Sequence, residues 1–267
     1  MEKLGLVLEG GGVKGAYEVG VMSVLGELGI DFDGVAGTSI GAVNGALYLQ
    51  GGYALMQEVW QGIYAGTILD IDDEILEKLK NRQIDRATLQ YFKERVTSKQ
   101  WILSGSYEKT QKFFSAIADE EALRKSGKDY GLITYNISDK KPVELMMDEI
   151  EEGKLIDFII ASATFPVFPP KVIDGKKYLD GGIYDNMPIN LLARHGYDKI
   201  LVLRTNVSDK RPRRELERND LDLFYVCPEN DLGHAMAFTS KRVENLRLLG
   251  REDAKRALDR GLREFLM

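Results

Sequence analysis

Cysteine and histidine are both scarce in this chain. Its 267 residues include one cysteine, Cys227, and two histidines, His195 and His234. A single cysteine excludes an intramolecular disulfide and a cysteine-based metal cluster. Because histidine is the commonest general base in enzymes, any catalytic site here has few bases of that kind to choose from. We expect neither a metal nor a cofactor.

The chain also lacks long apolar runs and an excess of positive charge. No stretch approaches the ~20 apolar residues that span a bilayer. The first apolar run, Leu4 to Leu8, is too short for a signal peptide and has no basic segment before it. The formal net charge of −6 provides no positive field to hold nucleic acid. We therefore expect no nucleic-acid partner and a cytoplasmic chain starting near residue 1, at most peripheral to the membrane through transient surface contact.

Composition is that of an ordinary globular protein. Hydrophobic residues make up 44% of the chain and charged residues 29%, which can support a large core. The length allows one or two domains, and no repeat or Ser/Pro-rich linker divides the chain. The sequence predicts a single domain over residues 1–267. It has a motif-bearing core at about 4–204, a helical insertion at about 53–118 and a C-terminal helix at about 239–266.

Strand, glycine turn and helix follow one another twice near the N-terminus. Leu4 to Leu8 has the pattern of a buried parallel strand, and residues 13–28 have helical spacing. A second strand is expected at about 34–36, with a helix beginning just after Ser39 and running towards Leu49. This order predicts a mostly parallel sheet with helices on its faces. Further strands are expected at 130–136, 142–147, 171–173, 176–179, 199–204 and near 224–226, and a further helix at about 154–162.

The second strand-to-helix turn carries a candidate nucleophile. Residues 37–41 read Gly-Thr-Ser-Ile-Gly, which fits Gly-x-Ser-x-Gly with glycines at Gly37 and Gly41. Such a turn lifts its serine out of the sheet and places the hydroxyl at a helix N-terminus, where developing negative charge is favoured. The expected strand and helix flank Ser39, as this pattern requires.

The first strand-to-helix turn is rich in glycine. Its residues are Gly10, Gly11, Gly12, Val13, Lys14 and Gly15. Consecutive glycines allow backbone N–H groups to point into one cavity, which suits an oxyanion hole or another anion site. The segment also fits the dinucleotide fingerprint Gly-x-Gly-x-x-Gly. The acids that would bind a ribose, Asp31 and Asp33, precede the second strand rather than end it, which argues against a dinucleotide.

A third motif lies far along the chain, where Asp180 is followed by Gly181 and Gly182. Asp-Gly is a common turn dipeptide. It gains interest here because a serine nucleophile needs a base and histidine is scarce.

Taken in order, the three motifs resemble those of the patatin-like phospholipase family. That family has a glycine-rich oxyanion loop, a Gly-x-Ser-x-Gly elbow and a later Asp-Gly-Gly or Asp-Gly-Ala. The block around Ser162, and Asn186 with Pro188, also look like family segments. The similarity covers residues 4–204, and residues beyond Arg204 carry no family motif.

The resemblance implies a three-layer α/β/α fold and a Ser–Asp dyad. Ser39 would attack a lipid ester and form an acyl-enzyme, with Asp180 as the base. The N–H groups of Gly11, Gly12 and Val13 would form the oxyanion hole, and Lys14 occupies the basic position of the family's loop. The expected substrate is a phospholipid, lysophospholipid or related lipid ester. Phe165, Val167 and Phe168 either line the acyl pocket or form a buried hydrophobic turn.

Two alternatives remain open at this point. The chain order Ser39, Asp180, His195 permits a Ser-His-Asp triad of the α/β-hydrolase type, although His195 is expected at the end of a helix. The second alternative is a non-catalytic module that uses the glycine-rich loop to bind a nucleotide or an anion. Oligomeric state is not predicted.

Overall fold

The computed structural model describes residues 3–62, 115, 118–166, 168–207, 214–236 and 238–267. Its strands in chain order are β1 (Leu4–Leu8), β2 (Gly34–Thr38), β3 (Asp129–Asn136), β4 (Lys141–Met146), β5 (Lys171–Ile173), β6 (Lys176–Asp180), β7 (Lys199–Leu203) and β8 (Asp222–Val226). Its α-helices are α1 (Gly15–Glu27), α2 (Ile40–Gly62), α3 (Glu120–Lys125), α4 (Leu155–Ser162), α5 (Ile189–Arg194), α6 (Ser240–Ala257) and α7 (Arg263–Leu266).

The eight strands form one mixed sheet in the order β5-β6-β3-β2-β1-β7-β8, with β4 paired to β3 outside this path. The five strands β3, β2, β1, β7 and β8 are parallel, whereas β4, β5 and β6 are antiparallel additions. The carboxyl ends of β1 and β2 therefore lie at the same sheet edge, which brings the two glycine turns together.

Helices cover both faces of this sheet. Alternate residues of β1 point into different cores, because side chains alternate along a strand. Leu6 and Leu8 join the core that contains residues of α1, α2, α4 and α6. Val7 joins the core on the other face, which contains residues of α5. The protein thus has the three-layer α/β/α architecture that the sequence predicts.

The C-terminal part of the chain belongs to this body, although it has no sequence motif. Strand β8 extends the sheet beside β7, and α6 packs against α1. Glycine is required at two points where α1 and α6 cross. A Cβ at Gly20 would lie 2.0 Å from the Arg247 carbonyl oxygen, and a Cβ at Gly250 would lie 2.0 Å from the Tyr17 carbonyl oxygen. The Tyr17 hydroxyl also donates a hydrogen bond to Asp253 (2.9 Å).

Most of the predicted elements are confirmed to within two residues. Helix α2 is longer than the stretch to Leu49 that the pattern indicates, because it resumes after non-helical residues at Gly51 and Gly52. The expected C-terminal helix contains a π-helical turn at Leu258–Leu262. Most of the predicted insertion at 53–118 lies outside the described residues. No described helix is both long and apolar enough to span a bilayer.

Candidate active site

Ser39 lies in a strained turn between β2 and α2. Its φ is +58°, a left-handed value that few non-glycine residues adopt. The flanking glycines make the turn sterically feasible. A Cβ at Gly37 would lie 2.3 Å from the backbone of Gly41, and a Cβ at Gly41 would lie 2.2 Å from the Leu8 carbonyl oxygen. The sequence is therefore folded here into the sharp strand–turn–helix that the motif predicts.

Ser162, at the end of α4, supports this turn from the side. Its hydroxyl accepts a hydrogen bond from the Ser39 N–H (3.0 Å) and donates one to the Ile133 carbonyl (2.7 Å). The side chain is fully buried, so both bonds are shielded from water. Sequence reasoning noted the block around Ser162 but assigned this residue no role.

Asp180 ends β6 and lies beside Ser39. The side chain of Ser39 lies close enough to the Asp180 carboxyl group for hydrogen bonding to lower the pKa of that group, and the Gly182 N–H donates a hydrogen bond to its Oδ1 (2.8 Å). The Asp180 residue is 5% exposed. This burial raises the pKa of Asp180 to about 6, against the lowering effect of the two hydrogen bonds.

The two glycines after Asp180 allow the chain to turn away at once. A Cβ at Gly181 would lie 2.1 Å from the Ile133 carbonyl oxygen, so this position has no room for a side chain. Residues Gly181–Ile183 then form a short 3-10 turn. The predicted Asp-Gly-Gly motif is therefore a turn that contacts β3, next to the strand that carries Ser39.

The glycine-rich loop follows β1 and meets Ser39 directly. A Cβ at Gly10 would lie 2.9 Å from the Cβ of Ser39 and 2.3 Å from the side-chain oxygen of Asn186. Asn186 also donates to the Gly10 carbonyl (2.9 Å), and the Gly10 N–H donates to the Asn186 carbonyl (3.2 Å). Asn186 thus ties the loop to the segment that follows Asp180.

Glu9 fixes the start of the loop to the end of β7. Its buried carboxylate accepts hydrogen bonds from the N–H groups of Thr205 (2.7 Å) and Asn206 (3.2 Å) and lies 3.7 Å from the guanidinium of Arg204. A buried carboxylate is stable only with such partners. No sequence pattern assigns Glu9 a role, although it is an acid directly before the glycines.

A buried polar chain links the helices that follow the two glycine turns. The Asn44 side chain in α2 donates to the Gly15 carbonyl (3.1 Å) and to Glu18 in α1 (2.8 Å). It also accepts from the Trp60 indole (2.7 Å). Burial raises the pKa of Glu18 well above its usual range. The chain holds α1 and α2, and hence the two turns, in a fixed relation.

The predicted oxyanion-hole residues differ in their hydrogen bonding. Within the described residues the N–H groups of Gly11 and Gly12 have no acceptor, and Gly12 has a φ of +59°. The Val13 N–H instead donates to the carbonyl of Ala235 (2.8 Å). The loop therefore presents two free donors, and Val13 could act as a third only after losing its bond to Ala235.

The Lys14 side chain contacts residues that follow β7 and β8. Its ammonium donates to Asn206 Oδ1 (2.8 Å) and lies 3.9 Å from Asp231 Oδ1, with 10% of the side chain exposed. Burial lowers the pKa of Lys14, and the charges of Asp231 and Glu9 partly offset this effect. In this structure Lys14 therefore pairs with polar groups at the ends of β7 and β8.

Neither histidine hydrogen-bonds Ser39 or Asp180. The His195 Nδ1 lies 2.8 Å from the Leu191 carbonyl. His195 follows α5 and lies near Asp129, the first residue of β3, at the sheet edge opposite Ser39. His234 is exposed, and its backbone carbonyl accepts from Arg242. The geometry places a carboxyl group rather than an imidazole beside the serine.

The remaining predicted residues are more scattered. Asp33 accepts from the Leu4 N–H at the start of β1 (2.8 Å), at the opposite end of that strand from the glycine-rich loop. It is therefore badly placed for a ribose. Phe165 is 40% exposed and Phe168 packs partly against the core, while Val167 lies outside the described residues. No group of three or more His, Cys, Asp or Glu among the described residues is arranged to hold a metal ion.

Comparison with known proteins identifies relatives of this site and fold. The family model for patatin-like phospholipase matches residues 6–193. Lysophospholipase NTE1 of Candida albicans is 30% identical over 220 residues, covering 79% of this chain and 14% of that protein. An uncharacterized NTE family protein of Mycobacterium bovis, Mb1092c, is 28% identical over 221 residues, covering 81% of this chain and 53% of that protein.

A solved structure supports the same assignment at the level of the fold. The crystal structure of VipD from Legionella pneumophila superposes with a TM-score of 0.60 and 16% identity, covering 97% of this chain and 67% of that chain. The fungal relatives are much longer, since this chain spans 12–14% of their length. The matched residues 6–193 contain all three motifs and most of the sheet. The chain therefore belongs to the patatin-like phospholipase family.

Proposed function

We propose that this protein is a serine acyl hydrolase that cleaves carboxylic ester bonds of lipids through Ser39 and Asp180. The observation that carries the proposal is the position of Ser39 beside the buried carboxyl of Asp180, whose pKa it lowers, and against Gly10 of a loop in which two N–H groups have no acceptor among the described residues. A nucleophile, a base and oxyanion donors gathered at one site are the parts that acyl transfer requires.

The reaction proceeds in two steps. Ser39 Oγ attacks the ester carbonyl while Asp180 takes the hydroxyl proton, and the negative charge that develops on the carbonyl oxygen is stabilised by the N–H groups of Gly11 and Gly12. Collapse of this intermediate breaks the ester bond, and Asp180 returns the proton to the leaving alcohol. Water, deprotonated by Asp180, then attacks the acyl-enzyme, releasing the fatty acid and restoring Ser39.

The environment of Asp180 suits it to this role. A carboxylate with an ordinary pKa is a weak base at neutral pH, and a raised pKa brings it closer to the pH at which it works. Burial raises the pKa of Asp180 to about 6, so the group is largely ionised at pH 7 yet holds a proton more readily than an exposed carboxylate. No metal or cofactor is required by this mechanism.

The substrate class follows from the family. The fungal relatives are named lysophospholipases, and the matched model is named for phospholipases. We infer that the ester belongs to a phospholipid, a lysophospholipid or a related lipid. Phe165 lies three residues beyond the end of α4 and is exposed. It follows Thr164, whose carbonyl accepts the Asp180 N–H (2.8 Å), so it offers apolar surface near the site for an acyl chain.

The test is release of fatty acid from defined lipids. Wild-type protein is incubated with phosphatidylcholine, lysophosphatidylcholine and a short-chain ester, each compared with Ser39→Ala. We expect fatty acid from at least one lipid with wild type and none above background with Ser39→Ala. Equal release by both proteins, or no release from any ester by folded wild type, would refute the proposed function.

A further inference from the structure

We propose that a C-terminal segment, Asp231–Met236, together with Arg242 positions the glycine-rich loop for oxyanion stabilisation. This inference rests on the proposed function, since it assigns a role in the same site. The segment and Arg242 lie beyond residue 193, where the match to the family model ends. We call residues 231–236 the clamp segment.

The clamp segment contacts the backbone of the loop through the Ala235 carbonyl group, and Asp231 adds an ion pair with the Lys14 side chain (3.9 Å). The Ala235 oxygen accepts the Val13 N–H (2.8 Å), and a Cβ at Gly12 would lie 2.4 Å from the same oxygen. Ala235 therefore packs against one of the two residues with free N–H groups and hydrogen-bonds the next residue along. Because these contacts involve backbone atoms, the position of the Ala235 carbonyl determines how the Gly12 peptide is oriented.

Arg242 holds the clamp segment from the opposite side. Its Nη2 donates to the carbonyl of His234 (3.1 Å) and to that of Leu232, the two carbonyls that flank Gly233. The Gly233 N–H in turn donates to Asp231 (2.9 Å), and Gly233 has a φ of +75°. The guanidinium thus fixes a turn that would otherwise have few internal hydrogen bonds.

Arg242 is itself held in place by the body of the protein. Thr239 caps the start of α6 by accepting the Arg242 N–H (3.2 Å), and α6 packs along α1, which begins directly after the glycine-rich loop. These contacts form a closed ring. The loop leads into α1, α1 packs against α6, Arg242 of α6 binds the clamp segment, and the clamp segment contacts the loop. Such a closed set of contacts can hold a loop within the small tolerance that transition-state stabilisation requires.

The clamp could instead be a plug that blocks the site, and the hydrogen bonding distinguishes the two roles. Ala235 engages the Val13 N–H but leaves those of Gly11 and Gly12 without an acceptor among the described residues. Two backbone N–H groups are sufficient for an oxyanion hole, as in chymotrypsin-like proteases. A plug would be expected to occupy the donors rather than orient them, so we assign a positioning role.

The experiment compares Arg242→Ala and Arg242→Lys with wild type, and uses Arg247→Ala as the matched control. Arg247 lies on the same helix but pairs with Glu244 (2.8 Å), away from the clamp segment. Steady-state kinetics on a soluble ester should show kcat of Arg242→Ala reduced about 10- to 100-fold with KM unchanged, because oxyanion contacts act in the transition state. Arg242→Lys, which keeps one charged donor, should be intermediate, and Arg247→Ala should match wild type.

A second readout separates positioning from a general loss of structure. A trifluoromethyl ketone forms a tetrahedral oxyanion adduct with the serine, whereas the corresponding methyl ketone does so poorly. For Arg242→Ala, affinity for the trifluoromethyl ketone should fall in parallel with kcat/KM while affinity for the methyl ketone stays unchanged. A variant that merely loosens the fold would lose both affinities together.

Each outcome decides the inference. Undiminished kcat in Arg242→Ala overturns it, and so does an increase, which would identify the segment as a plug. If Arg242→Ala does not fold, Arg242→Lys decides: reduced kcat at unchanged KM supports positioning, and wild-type kcat overturns it. Wild-type protein without turnover or phosphonate labelling at Ser39 would instead refute the proposed function, so the two failures are distinguishable.

Discussion

Ser39 and Asp180 lie at the same level on either side of β3, although β3, β4 and β5 separate them in sequence. Thr38, the residue before Ser39, pairs with Ile133 of β3, and Asp180 pairs with Thr134, the next residue of that strand. The parallel register of β2 and the antiparallel register of β6 thus bring the two side chains together. One residue of slip in either strand would turn a side chain to the other face of the sheet.

Substitution of either member of this pair tests its catalytic role. We expect Ser39→Ala to reduce ester hydrolysis to background and Asp180→Asn to lower kcat by about 10²- to 10⁴-fold, the usual contribution of a general base. Initial rates on a soluble ester measure both. His195→Ala is the control, because His195 lies at the opposite sheet edge. Loss of activity in that control at unchanged stability would revive the triad.

The pH dependence of activity should report the ionisation of Asp180. The base must be deprotonated, so kcat/KM should rise with pH and reach half its plateau near the Asp180 pKa of about 6. Asp185 is buried and also has a pKa raised to about 6 by burial, so Asp185→Asn provides the matched control. That variant should keep the wild-type profile. A profile that moves with Asp185, or one that is flat from pH 5 to 8, would contradict the assignment.

The same raised pKa predicts that Asp180 costs stability at neutral pH. In the unfolded chain this aspartate has a pKa of 3.8, whereas in the folded protein its pKa is about 6. Between these pH values the folded state binds more protons than the unfolded state, so the free energy of unfolding decreases as pH rises. Asp180→Asn removes this charge. We expect the variant to be about 1–3 kcal/mol more stable than wild type at pH 8, with no gain from this source at pH 4.

Denaturant unfolding at the two pH values measures this difference, provided that each transition is two-state. Equal stability of Asp180→Asn and wild type at pH 8 would show that the carboxylate is better solvated or paired than its burial indicates. A gain of equal size at both pH values would point to packing rather than charge.

Gly41 is predicted to be far less tolerant than Gly45, one turn later on α2. A Cβ at Gly41 would lie 2.2 Å from the Leu8 carbonyl oxygen, a backbone atom of β1 that cannot move aside. At Gly45 the nearest atom is a side-chain carbon of Val35, at 3.0 Å. We expect Gly41→Ala to lose about 1–3 kcal/mol of stability together with activity.

Gly45→Ala should be close to neutral, because the gain in helix propensity, about 1 kcal/mol, offsets the tighter contact. Thermal unfolding and ester hydrolysis of the two variants measure the difference. Similar behaviour of both variants would show that the turn before α2 can shift to make room, and that the contact between the two glycine turns is not needed for activity.

Much of the fold and the motif-bearing part of the site can be predicted from the sequence. Short apolar runs are local signals, and they predict β1, β2 and β7 because buried parallel strands need continuous apolar stretches. The three motifs are local as well, so Ser39, Asp180 and Gly10 are found together where the pattern and the family resemblance predict them. Their spatial order follows from the parallel sheet.

The supports of the site could not be predicted in the same way. Ala235 contributes a backbone carbonyl, which any residue type could supply, and Arg242 binds carbonyls rather than a complementary side chain. Ser162 reaches Ser39 only through the packing of α4 against β3. Such contacts depend on tertiary distances, so neither residue spacing nor periodicity indicates them.

The most direct test of the central claim is intact-mass analysis after treatment with a fluorophosphonate, which phosphonylates activated serines. Wild type, Ser39→Ala and Asp180→Asn are treated alike, and the rate and number of mass additions are compared. The account predicts one addition on wild type, none on Ser39→Ala and much slower labelling of Asp180→Asn. Labelling of Ser39→Ala at the wild-type rate, or no labelling of folded wild type, would contradict it.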